Sequence, residues 1–235
     1  MTPSSSKPCE SRRFPENCEL YPVHGRHMAA VHNNILRGIN AIAKHAATVE
    51  GDKIKPFLVF ALTVFSTFHH HHHLEETFSF PKYEEKLGKG TFTVNYEQHE
   101  KFVPQVEQLV HYLKEVQEGK KEYDGKHIVD TIESFSDAMI QHLNEEIATL
   151  DAGRMRAAFT AQELKDIDAE FMKIILATTD YYTNLPVVLV CQDPDTAWFP
   201  PLPYLIKLAT RWWFYRRYKE SWEFGPVDLY GNPRE

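Results

Sequence analysis

Two short stretches, His71-His72-His73-Leu74-Glu75-Glu76 and His142-Leu143-Asn144-Glu145-Glu146, each set a histidine and a glutamate four residues apart at the end of an apolar run. On an α-helix, residues i and i+4 share a face. His71 with Glu75, and His142 with Glu146, can therefore each aim an imidazole and a carboxylate at one point. That is a donor set for a metal ion held between helices, and two such pairs point to two ions.

Register gives the pairs their meaning, since on a solvated face they would have none. Steps of three and four run through Phe57, Ala61, Val64, Phe68, His71, Glu75 and Phe78, and through Ile128, Ile132, Phe135, Met139, His142, Glu146 and Leu150. The polar pairs thus stand where apolar residues belong. A buried carboxylate without a partner is costly, so a chain that places one in its core stripe must supply a partner, and a cation is the natural one. This phase turns His71, and not His72, toward the metal, because His72 lies about 100° further round the helix.

Two more stripes, Met28, His32, Ile35, Ile39, Ile42, Ala46 and Phe92, Tyr96, His99, Val103, Val106, Val110, Leu113, are each interrupted by one histidine. The turn signals Gly51-Asp52, Gly88-Lys89-Gly90 and Asp124-Gly125 separate the four segments and favour antiparallel neighbours. The expectation is an all-α chain, an up-down-up-down antiparallel four-helix bundle with additional C-terminal helices. Its expected divisions are an N-terminal arm over 1–23, the bundle over 24–150 and a helical extension packed on it over 151–235.

One histidine on the first helix, HxxxE on the second, a histidine on the third and HxxxE on the fourth resembles the hemerythrin-like, or HHE cation-binding, domain, in its fungal-type form with a C-terminal extension. The resemblance covers roughly residues 24–150. It is carried by His32-Asn33-Asn34-Ile35-Leu36-Arg37, by the run from His71 that ends Glu75-Glu76-Thr77-Phe78-Ser79-Phe80-Pro81, by His99-Glu100 and by the 142–146 motif. It implies metal ligands at His32, His71, Glu75, His99, His142 and Glu146, holding two iron ions with the glutamates as bridges. Oxygen-carrying members have HxxxH on the third helix, whereas Val103 stands four residues after His99. One imidazole fewer leaves more room on an iron for dioxygen or substrate. His72, His24 and His27 are the alternatives for filling that position.

The chemistry of the donors agrees. Imidazole and carboxylate without thiolate suit iron, and next manganese, better than structural zinc. The expected function is therefore a di-iron protein that binds and activates dioxygen to oxidise a small organic substrate. The alternative is a non-catalytic protein that stores, senses or carries iron, dioxygen or nitric oxide. Tyr96, one turn before His99, is a candidate to support a ligand or carry an oxidising equivalent, against the plainer reading of a core tyrosine. His69, His70 and His73 read as surface or supporting groups, and Glu76 and Glu145 as facing water or a ligand imidazole. An internal run crossed by an apolar stripe is a poor match for an affinity tag, and a phosphotransfer bundle would need one exposed histidine.

At 235 residues and 43% hydrophobic, the chain can bury a single core. A net charge of −7 argues against nucleic acid as a partner. The longest apolar run, over 57–68, is too short to span a bilayer, and the polar start does not resemble a secretory signal. Cys9, Cys18 and Cys191 form neither a disulfide framework nor a zinc motif, so a cytoplasmic location is expected. Beyond the bundle, Thr160 and Glu163 form a capping box ahead of a fifth helix over 161–181. Residues 185–190 read as extended, and the aromatic, basic stretch over 211–218 reads as a cap on the bundle end, with a membrane-surface helix as the alternative.

Overall fold

The computed structural model describes residues 23–234. The expected arm over 1–23, except Val23, and the side chain of His24 lie outside what it describes, as do Cys9 and Cys18. Among the described residues the chain is all-α, with one isolated bridge between Val227 and Pro233. Four long helices make the bundle: α1 (Val23–Ala46), α2 (Ile54–Leu74), α4 (Thr93–Gln117) and α5 (Gly125–Thr149), with the short α3 (Phe80–Leu87) continuing α2. Around the bundle α1 packs on α2, α2 on α4, α4 on α5 and α5 on α1. No helix among the described residues is long and apolar enough to cross a membrane.

Between α2 and α3 the rod does not break. Glu75–Ser79 forms a π-turn, in which the N–H of Phe80 reaches back to the carbonyl of Glu75. This wider turn consumes one residue more than an α-turn, so the inward stripe slips by one. An unbroken α-register from Glu75 would turn Lys82 inward; instead Phe80 and Tyr83 are buried and Lys82 is not.

Helix α2 is apolar on most of its circumference and is buried accordingly, from Phe57 to Phe68. Its outer side is covered by the chain beyond the bundle, namely α8 (Asn184–Val190) and the turn Ser221–Phe224. Polar residues of α1 hold that cover in place. Asn33 Nδ2 donates to Asp193 Oδ2 at 3.0 Å, Asn34 Nδ2 to Val188 O at 3.4 Å and Arg37 Nε to Cys191 O at 3.1 Å. At the other end α6 (Ala152–Ala158) and α7 (Ala161–Thr178) enclose a second small core of Phe80, Tyr83, Phe92, Leu150, Met155, Phe159 and Leu164. The Thr160–Glu163 capping box opens α7.

Three local expectations are corrected. Residues 185–190 are helical: a short apolar run has no readable period, and Pro186 is tolerated in a first turn where its missing N–H is not needed. Helix α7 stops at Thr178, because Asp180 and Asn184 turn the chain through side-chain bonds to Tyr182 N and Asp180 N. On α4 the buried positions are Phe102 and Leu109, whereas Val103 and Val110 are only partly covered. A step of three, not four, follows His99. At the start of α5 the chain passes so close to the end of α1 that a Cβ on Gly125 would lie 2.0 Å from Ala46 O.

Candidate metal centre

Four helices bring seven side chains together in two groups. His72, Glu75, His99 and His142 form one, and His32, His71, Glu75 and Glu146 the other; within each, one donor atom per residue lies within 4.8 Å of the rest. Glu75 belongs to both. His71 Nε2 is 2.9 Å from Glu75 Oε1, and His99 Nε2 is 3.9 Å from Glu75 Oε2. Glu146 Oε2 lies 3.2 Å from His32 Nε2 and 3.4 Å from His142 Nε2. Every one of these residues but His71 is fully or almost fully buried, and His71 nearly so.

The outer nitrogen of four of the five imidazoles fixes the tautomer. His32 Nδ1 donates to Leu143 O and His72 Nδ1 to Phe68 O, each at 3.1 Å. His99 Nδ1 donates to Glu76 Oε1 at 2.6 Å. His142 Nδ1 donates to Gln98 Oε1 at 3.1 Å, and Gln98 is oriented by its own amide donating to Glu145 Oε2 at 2.5 Å. With the proton on Nδ1, each Nε2 presents a lone pair to the centre. His99 Nε2 and His142 Nε2 then face each other at 2.9 Å as two acceptors. Two lone pairs at that distance repel unless a cation lies between them.

The remaining inner atoms are in the same position. His32 Nε2, His71 Nε2, His72 Nε2 and both oxygens of Glu75 and of Glu146 are buried without a hydrogen bond. A folded chain does not strand so many polar atoms in one place unless a ligand satisfies them. Cations fit them, since all seven are Lewis bases and no thiolate is present.

Electrostatics agree with this reading. Burial, and then the neighbouring imidazoles, hold His71 and His72 well below the usual histidine range, and burial takes His142 down to about 3. These rings are neutral ligands at neutral pH. The carboxylates diverge: burial and the facing Glu146 push Glu75 well above its ordinary value. Burial also raises Glu146, and only positive charge on the facing His32, His142 and His71 outweighs it, drawing Glu146 down to about 2 when those rings are protonated. Without a cation, two carboxylates in this space cannot both ionise cheaply.

The six residues singled out by spacing all lie in these groups, and the register expectation that excluded His72 is overturned. Glu75 sits about 40° from His71 and about 60° from His72 on a helical projection, so one carboxylate serves two adjacent rings. The signal was present as HHxxE, a glutamate at i+4 from one histidine and i+3 from the next. His72 therefore stands where Val103 was expected to leave a gap, and Phe102 packs its ring 5.5 Å from both His72 and His142. His27 belongs to neither group and packs on Trp198. Tyr96 is half-exposed, and its hydroxyl donates to Glu76 O at 3.4 Å instead of reaching a donor ring. His69 and His73 are exposed, and His70 meets Thr178 at 2.9 Å. Gln98 was missed; a polar residue beside a histidine carries no periodic signal.

Comparison with known proteins bears on the same residues. The chain is 28% identical over 214 residues to the "Dimeric xanthone biosynthesis cluster protein R11" of Cryptosporiopsis sp. (strain 8999), an alignment covering 88% of this chain and 80% of that protein. No solved structure matches it significantly. The family model for the hemerythrin HHE cation-binding domain matches residues 25–150, which span α1 to α5 and every residue of both donor groups. With that match over more than half its length, the chain belongs to the hemerythrin HHE cation-binding domain family.

Proposed function

We propose that the protein holds two iron ions, binds dioxygen at them and uses it to oxidise a small organic substrate. The observation that carries this reading is the pair of lone-pair clusters that share Glu75. His72, His99 and His142 would hold one ion, His32 and His71 the other, with Glu75 and Glu146 reaching both. Five imidazoles and two carboxylates suit iron, and next manganese. The group of His32 and His71 offers one imidazole fewer, so an ion held there would keep more room for an exchangeable ligand. Ferrous iron at such a site supplies electrons to dioxygen.

The chain's own residues do the rest. Glu76, Gln98 with Glu145, and the carbonyls of Phe68 and Leu143 keep the imidazoles in the ligating tautomer. Phe68 and Phe102 wall the His72 side with apolar rings and exclude water there. The name of the Cryptosporiopsis relative suggests aromatic, phenolic molecules as the substrate class to try first. A second reading, reversible carriage, storage or sensing, is favoured by His72, which returns the imidazole that Val103 lacks.

Anaerobic loading with ferrous iron, metal analysis and admission of oxygen test both readings. About two irons per chain are expected, with an oxygen-dependent optical change. Consumption of a phenolic substrate with oxygen would favour the oxidase. A spectrum that returns fully to its starting form on removing oxygen, with no substrate consumed, would favour the carrier. Failure to retain iron or manganese would overturn the metal assignment itself.

A further inference from the structure

Helix α9 (Tyr204–Trp212) is amphipathic in the wrong direction for a soluble surface helix. Its buried side is Thr210, whose hydroxyl donates to Ile206 O at 2.8 Å. Its apolar stripe, Leu205, Leu208, Ala209 and Trp212, faces outward and lines an open groove of about 480 Å³. Exposure there is extreme for such residues: Tyr204 72%, Leu205 73%, Trp212 61% and Trp213 64%. The expectation that residues 211–218 cap the bundle end is met by Tyr215 and Tyr218, which pack on the main core, and not by Trp212 and Trp213.

Charge identifies what would cover the stripe. Between residues 197 and 219 there are five basic side chains, Lys207, Arg211, Arg216, Arg217 and Lys219, and no acidic one, in a chain of net charge −7. Three of its four tryptophans, Trp198, Trp212 and Trp213, fall in the same stretch. A symmetric contact between two copies would bring this basic stretch against its own copy, which like charges oppose. An anionic lipid surface is complementary to it. The indoles suit the headgroup boundary, the Leu205–Leu208 stripe the acyl edge, and the guanidinium and ammonium groups the lipid phosphates.

We propose that this face docks the protein on the surface of an anionic bilayer, with α9 lying in the plane of the interface. The full-length chain sedimented with phosphatidylserine–phosphatidylcholine vesicles should be retained at least about tenfold more than with phosphatidylcholine alone, and less so as salt rises. Leu205→Glu and Trp212→Glu should each lower retention about tenfold while leaving the helical circular dichroism spectrum unchanged. Val94→Glu is the same kind of change at a 58% exposed side chain on α4, and it should leave retention unaltered. Emission from the exposed indoles should shift to the blue on binding, against a constant background from buried Trp222. No retention on anionic vesicles overturns the proposal, as does retention that Leu205→Glu and Trp212→Glu leave intact. A dimer that Trp212→Glu converts to monomer, with no vesicle binding by the parent chain, would assign the face to self-association instead.

Discussion

Two imidazole nitrogens that meet face to face, His99 Nε2 and His142 Nε2, carry more information than the proximity of acids and histidines alone. Their tautomers are forced from outside by Glu76 and by Gln98 with Glu145. The sharing of Glu75 has a countable consequence. His32→Ala removes a donor from one group and should leave one ion in place, whereas Glu75→Ala removes a donor from both and should empty the site. Metal analysis after gel filtration reads the difference, and equal metal in the two variants would falsify the shared role. The metal-free chain should also show a signed pH dependence. His71, His72 and His142 titrate below their ordinary 6.5 when folded, so below that pH the unfolded chain takes up protons that the fold refuses. Stability is full above 6.5 and falls with acidity, by up to about 1.4 kcal/mol per pH unit for each ring. Glu75 acts with the opposite sign, its raised value making stability fall as pH rises above 4.5. Three rings outweigh one carboxyl, so urea denaturation should find the metal-free protein weaker at about pH 5 than at about pH 7.

Elements were legible where the period was long and the stripe was broken by a reason to be polar. His32, His99 and the two HxxxE pairs announced four helices and their common layer. The π-turn was not legible, since its one extra residue is visible only as the stripe ending at Phe78 and restarting on Phe80. The same blindness to phase set Val103 in the core stripe of α4 in place of Phe102. Helix α8 was misread because five apolar neighbours have no period at all. The junction of α1 and α5 offers a test at this scale. A methyl group on Gly125 has no room against the Ala46 carbonyl, and backbone cannot swing aside as a side chain can. Gly125→Ala should lower the unfolding free energy by about 1–3 kcal/mol in a denaturant titration, without changing metal stoichiometry.

At the level of the molecule, the bundle supplies the donors and the C-terminal chain supplies the cover for α2. Trp222 anchors that cover: it is buried, and its Nε1 donates to Tyr215 O at 3.0 Å. Trp222→Ala should cost about 3–5 kcal/mol, read by thermal or chemical unfolding. Loss of that size would make folding depend on the metal, since an ion that binds only the folded chain at 100 times its dissociation constant returns about 2.7 kcal/mol. The wide turn at Glu75–Ser79 has a consequence in the arithmetic of chain length. The rod from Ile54 to Leu87 carries one residue that its span does not require. Deleting exposed Thr77 should let the turn close to an ordinary α-turn, keeping His71, His72 and Glu75 above it and Phe80 and Tyr83 below it on their present faces. A deletion one turn earlier in α2 has no such slack to absorb, and rotates everything after it by about 100°.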